Sequence, residues 1–149
     1  MKYDKKEMVL DCIRDKSVIV FETDCYLTAL DTISKRIKNE FPEIFKILTI
    51  KAINGSLFPG DSIIIKVRGY SIAVLITQER IFGSQKDEPE QIHSLTIDAI
   101  KDMLKQLEKS SADNKYHFVS GILNRRIKNW KNIESYITRN KLNWSVYTE

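Results

Sequence analysis

Two cysteines and two histidines are all that 149 residues supply of the side chains most often used to hold metals or attack substrates. Cys12 and Cys25 are too few for a disulfide framework or a zinc site, and both are read as reduced thiols. His93 and His117 do not complete a metal set. Glycine is also scarce, with five in the chain. Accordingly the sequence holds no Walker loop, no GxGxxG, no GxSxG, no HExxH and no paired CxxC. The longest apolar runs are strand-sized, so no segment is expected to span a membrane or direct export, and a soluble cytoplasmic protein is the expectation. Charge of one sign barely predominates. The excess of +4 permits contact with nucleotides, nucleic acid or acidic proteins and demands none of them.

What the chain does have is the length and composition of one compact domain, residues 1–149, with 42% hydrophobic residues to build a core. Short β-branched runs at Ser17 to Phe21, Ser62 to Val67, Tyr70 to Thr77, Tyr116 to Ser120 and Trp144 to Thr148 predict strands. Helical spacing lies between them. Asp31 is a candidate cap for a first helix with Ile33, Ile37 and Phe41 on one face, and Pro42 interrupts it before a short second helix at Ile44 to Ile50. The segment Asp87-Glu88-Pro89-Glu90 has a capping-box signature with proline in the first turn. It opens a long helix whose Ile92, Ile100, Met103, Leu104 and Leu107 keep the period. A last helix has Asn129 as cap, Trp130, Ile133 and Ile137 facing inward, and Asn140 as its stop. Strands alternating with helices predict a three-layer α/β/α sandwich around a central mixed sheet.

One stretch is placed as a ligand loop would be. Ser120 to Trp130, SGILNRRIKNW, leaves a strand through a glycine, crosses a basic segment and meets a tryptophan opening a helix. In α/β proteins that position seats phosphates on backbone N–H groups and helix N-termini. Arg125, Arg126, Lys128 and Lys131 around Trp130 fit phosphates with an aromatic platform, and so a nucleic-acid contact. They fit equally a solvated loop with a core tryptophan, which is the plainer reading. His117 in a strand and His93 in a helix read as structural. The acidic cluster Asp87, Glu88, Glu90 is accounted for by helix capping.

The order of these segments resembles a macro domain, most closely the small single-domain branch that hydrolyses ADP-ribosyl-glutamate linkages. Tyr70 to Arg80, YSIAVLITQER, is similar to that branch's YIxxLITKxR strand and exit. A long helix, a strand ending in a glycine loop, and Trp130 with its helix follow in the expected order, and WSVYTE is similar to the closing strand. Upstream, SVIVFETDCYLTALDTISKRIKNEFPE resembles the second strand, first ligand loop and following helix, and YDKKEM resembles YxKGDL. The resemblance implies a ligand crevice built from Glu7 at the adenine-reading position and Asp24, Thr28, Ala29, Leu30 and Asp31 in the first loop. It adds Gln78 and Arg80 at the strand exit, and Gly121, Ile122, Leu123, Asn124 and Arg125 in the second loop.

The departures bear on chemistry. Where the family has DCxMGAGIA, this chain has Asp24-Cys25-Tyr26-Leu27-Thr28-Ala29-Leu30-Asp31, with both glycines replaced and a negative charge added near the diphosphate position. The second loop keeps Gly121 and has no aspartate before Trp130. The family's catalytic lysine falls at Gln78, whose amide cannot form a covalent adduct with ribose. Charge-assisted N–H contacts to a diphosphate contribute roughly 1.5–3 kcal/mol each, so losing two would weaken binding by on the order of a hundredfold. The expectation is a degenerate macro-like domain without cofactor or catalytic residues. It would hold ADP-ribose, a related nucleotide or a nucleic-acid end through side chains such as Arg80, Arg125 and Arg126. The alternatives are a protein-interaction module with the crevice filled by Leu30, Leu123 and Arg125, or a divergent glycohydrolase or ADP-ribose 1″-phosphatase using Asp24, Asp31 or Asn124. A bias toward lysine, isoleucine and asparagine fits an AT-rich genome such as that of a virus or phage.

Overall fold

The computed structural model of the chain describes residues 2–4, 17–27, 32–78, 88–110, 116–124 and 127–147. In chain order these form β1 (Lys2–Asp4), β2 (Ser17–Asp24), α1 (Thr32–Glu40), α2 (Pro42–Ile53), β3 (Ser62–Val67), β4 (Tyr70–Gln78), α3 (Pro89–Ser110), β5 (His117–Ser120), α4 (Trp130–Arg139) and β6 (Trp144–Tyr147). The strands make one sheet in the order β1-β6-β5-β2-β4-β3. All neighbours pair in parallel except β3, an edge strand antiparallel to β4. The sheet is therefore mixed, as expected.

Side-chain alternation splits the core into two layers. Ile19 and Phe21 of β2 join Ile72, Val74 and Ile76 of β4 beneath Ile37 of α1 and Ile44, Phe45 and Leu48 of α2. Val18 and Val20 point the other way, with Ala73 and Leu75, against Ile100 and Met103 of α3 and Ile133 and Ile137 of α4. The central strands β2 and β4 bury both faces, which explains their near-continuous apolar runs. Helices on both faces complete the three-layer sandwich.

Local chemistry sets the element ends. Pro42 lacks an N–H and occupies the first turn of α2, while Phe41 is buried at the joint, its N–H still bonded to Ile37 O at 2.8 Å. The β3–β4 hairpin turns on Arg68 and Gly69, both at positive φ, as a two-residue turn matched to strand twist requires. Arg68 then lies over the Phe41 ring at 4.7 Å and pairs with Glu43 at 2.8 Å, tying the hairpin to the α1–α2 joint. Backbone hydrogen bonding and the nearby Arg68 hold the Glu43 carboxyl below its ordinary value.

Several boundaries differ from expectation. β2 runs past Phe21 to Asp24, because pairing with β4 continues through Glu22-Thr23-Asp24 after the apolar run has ended. α2 starts at Pro42 and reaches Ile53, longer than Ile44 to Ile50. β1 has no periodic signal of its own and exists through its pairing with β6. Asn129 is the N-cap residue of α4, yet its side chain makes no capping bond. Its N–H instead reaches Asn124 O at 3.2 Å. Asn140 does close α4, its Nδ2 donating to Tyr136 O at 2.8 Å. Asp31 lies outside the described residues, as does Thr148.

Candidate functional site

Because β2, β4, β5 and β6 are parallel, their carboxyl ends share one edge of the sheet. β2 and β5 are neighbours there. After β2 the chain turns to α1, which packs on the first core layer, and after β5 to α4, which packs on the second. Adjacent parallel strands whose connections leave to opposite faces open a crevice at their carboxyl ends, where α/β folds bind ligands. The loops after Asp24 and Ser120 flank this point.

The first loop begins with a disturbance in the sheet. Thr23 pairs with Ile76 but Asp24 pairs with Gln78, leaving Thr77 as the extra residue of a β-bulge. Thr77 is fully buried, and its Oγ1 has no hydrogen-bond partner among the described residues. The two strand ends stay joined by Cys25 N–H donating to Gln78 O at 3.2 Å. Asp24 is fully buried, and its carbonyl accepts from Thr23 Oγ1 at 3.3 Å and from Leu27 N–H at 3.4 Å. Leu27 sits at φ 56°, a left-handed conformation that costs a residue with a Cβ about 1–2 kcal/mol.

The second loop is fastened from three sides. Asn124, at φ 56° and almost wholly buried, donates its N–H to Glu22 Oε1 at 2.8 Å and Nδ2 to Glu22 Oε2 at 3.0 Å. The same Nδ2 donates to Thr96 Oγ1 of α3 at 2.9 Å. The Asn124 carbonyl accepts from Ile127 N–H and Asn129 N–H, both at 3.2 Å, and Oδ1 accepts from Asn129 Nδ2 at 3.5 Å. Asparagine tolerates this backbone conformation better than most residues, and here its amide also satisfies a half-buried carboxylate. At the loop's start, Ser120 Oγ accepts from Trp144 Nε1 at 2.9 Å and donates to Gly121 O at 2.7 Å. Leu123 is buried in the second core layer.

Of the residues singled out from sequence, Asp24, Gln78, Gly121, Ile122, Leu123 and Asn124 come together at this edge. Both amide protons of Asn124 are committed to protein acceptors, and Leu123 points into the core. Glu7, Thr28, Ala29, Leu30, Asp31, Arg80, Arg125 and Arg126 lie outside the described residues. Lys128 is exposed at φ 55° one residue before Asn129, and Trp130 is half-buried against the second layer. His117 contacts Ser145 Oγ through Nε2 at 2.7 Å, within the sheet and away from the crevice edge. Among the described residues, no group of three or more His, Cys, Asp or Glu side chains could hold a metal ion, and no helix is long and apolar enough to cross a membrane. Glu22 and Thr96 are functional-site residues beyond those expected from sequence. A carboxylate ending an apolar strand run was the available signal for the first, and a hydroxyl on the apolar face of α3 for the second.

No family model and no curated protein matches the chain. Solved structures do match it. The macrodomain of Mycobacterium tuberculosis DarG superposes with a TM-score of 0.74 over 99% of this chain and 97% of that one, at 12% identity. A macrodomain protein from Streptomyces coelicolor gives 0.69 over 99% and 98%, at 13% identity. Thermosipho africanus DarTG, solved in complex with ADP-ribose, gives 0.63 over 87% of this chain and 37% of that one, at 11% identity. The chain has the macrodomain fold, an α/β/α sandwich with its crevice at the carboxyl ends of the parallel strands.

Proposed function

We propose that this protein binds ADP-ribose or a related nucleotide or phosphate ligand in the crevice between the loops after β2 and β5, and that it does so without the hydrolase chemistry of its resemblance family. The observation that carries the reading is the switch point itself. Two adjacent parallel strands send their connections to opposite faces, and the loop after β5 is rigidly fastened at Asn124. The ADP-ribose complex of the Thermosipho africanus protein, which has a similar fold, supports the ligand class.

The absence of hydrolysis rests on residue types. Gln78 stands at the exit of β4 where the family's nucleophilic lysine falls, and no aspartate lies between Gly121 and Trp130. An amide is not a nucleophile toward the ribose C1″ under these conditions. Phosphate recognition then falls to side chains of the loop, Arg125 and Arg126 first among them, with Lys128 close by.

Titration calorimetry with ADP-ribose tests the binding. Saturable heat that weakens as salt rises, and that falls about tenfold or more in affinity when Arg125 and Arg126 are both changed to Ala, is the expected result. No heat at millimolar ADP-ribose removes the reading. Release of ADP-ribose from glutamate-modified protein at enzymatic turnover would remove its non-catalytic half.

A further inference from the structure

The helix α2 is apolar nearly all round. Ile44, Phe45 and Leu48 face the core, yet Ile47, Ile50 and Ile53 line up at a three-residue spacing on the opposite side, with Ile50 60% and Ile53 79% exposed. A core-facing helix normally presents polar residues there. Beside this row runs a groove between α1 and α2. One part, about 750 Å³, is lined by Lys38, Pro42, Phe45, Lys46, Thr49 and Ile50. A second part, about 490 Å³, shares Lys38, Phe45 and Thr49 and continues to Ile53 and Tyr26. Tyr26 is itself half exposed.

Among the described residues, the groove lining carries charge of one sign, from Lys38 and Lys46. Of the two acids on α1 and α2, Glu40 pairs with Arg36 at 3.5 Å and Glu43 with Arg68 at 2.8 Å. Lys38, Lys46 and Lys51 make no salt bridge among the described residues, although Lys38 Nζ lies 5.9 Å from the centroid of the Phe45 ring and Lys46 adds to the field on Glu43. An apolar floor with a basic rim that has no salt-bridge partner fits an occupant with apolar anchors and carboxylates beside them. A second copy of the chain is disfavoured, since a two-fold contact would bring two basic rims into one interface.

We propose that the α1–α2 groove and the Ile47-Ile50-Ile53 row form a docking site for an acidic amphipathic segment of a partner protein. The site is independent of the crevice reading, although its far end at Tyr26 adjoins the first crevice loop. Docked helical anchors would sit against Ile50 and Ile53, with carboxylates reaching Lys38 and Lys46.

The test uses the full chain and a synthetic amphipathic helix of glutamate and leucine, with a lysine and leucine helix of the same pattern as control. Amide chemical shifts should move at α1 and α2 with the acidic peptide only. The variant I50S/I53S, whose changes fall on exposed positions, should weaken binding at least tenfold, and K38E/K46E should do the same while gaining affinity for the basic peptide. Equal binding of both peptides, or shifts elsewhere, overturns the proposal. So does concentration-dependent dimerisation abolished by I50S/I53S, or uptake onto phosphatidylserine vesicles that the same variant abolishes while the acidic peptide fails to bind.

Discussion

Glu22 and Asn124 stand 102 residues apart in the chain and are joined by two hydrogen bonds, from Asn124 N–H at 2.8 Å and from its Nδ2 at 3.0 Å. The pair fixes the loop after β5 to the neighbouring strand β2 at the point where the crevice opens. Thr96 on α3 receives the second amide proton, and its own hydroxyl donates to Ile92 O at 2.7 Å. Strand, loop and helix are thus held by one chain of hydrogen bonds. Every donor in it has an acceptor, which lets a carboxylate remain in a largely buried position.

Replacing Asn124 with Asp removes both amide donors and sets a second carboxylate against Glu22. At pH 7 the expected loss is about 3 kcal/mol, the scale for breaking a buried charged contact. One of the two carboxyls will then have a folded pKa raised above its unfolded value, so the folded state binds the extra proton. Part of the lost stability should return as pH falls from 7 toward 5. Urea unfolding at the two pH values checks this, and an equal loss at both would show that charge repulsion is not the cause.

At the root of the same loop, Ser120 is the acceptor for the buried indole N–H of Trp144. Ser120→Ala leaves that donor unpartnered and should cost about 1–3 kcal/mol. Trp144→Phe in the Ser120→Ala background should then cost less than Trp144→Phe alone, because the bond is already lost there and the change removes the orphaned donor. A double-mutant cycle by chemical denaturation measures the difference. Strict additivity would mean that the bond contributes nothing net.

How far the sequence revealed this molecule depended on whether the deciding contact was local. β3 could be read end to end, because its β-branched run stops at Arg68-Gly69, a turn with its own signature. The macrodomain-like order of segments was visible for the same reason, each strand and helix carrying its own period. β2 runs three residues past its apolar signal, since Glu22, Thr23 and Asp24 stay in the sheet through partners in β4. β1 depends on β6 at the other end of the chain, and three residues carry no period. The crevice loops could be placed, yet the turning of Asn124 toward Glu22 and Thr96 joins three distant segments and leaves no trace in spacing.

The β3–β4 turn offers a cleaner test of backbone cost. Gly69 has φ 84°, and a Cβ built there would meet no atom within 4 Å. Gly69→Ala therefore creates no clash, and any loss reports the conformation alone. About 1 kcal/mol of destabilisation is expected in thermal or urea unfolding. A stabilised variant would mean that the turn relaxes to another type, which the register of Val67 opposite Tyr70 would then reveal by exchange with solvent.

Acid titration should reveal one carboxylate working against the fold. Asp61 precedes β3, and desolvation, with the negative charge of Asp102 behind it, raises its pKa from the ordinary 3.8. Asp102 is itself held by Ser62, whose N–H and Oγ donate to Oδ2 at 2.9 and 3.0 Å, and by Gln106 Nε2 at 2.8 Å, so it cannot turn away. A carboxyl with a raised folded pKa binds protons better folded than unfolded, so stability falls as pH rises from 3.8 through the folded value. The penalty is complete at neutral pH and absent below 3.8. Asp61→Asn should therefore stabilise the protein at pH 7 by about 0.3 kcal/mol, the scale of an exposed charge contact. The gain should disappear by about pH 3, where the wild-type carboxyl is already protonated. Thermal unfolding of the two proteins across that range decides the point, and a gain that persists at low pH would place its origin in the backbone of the turn rather than in the charge.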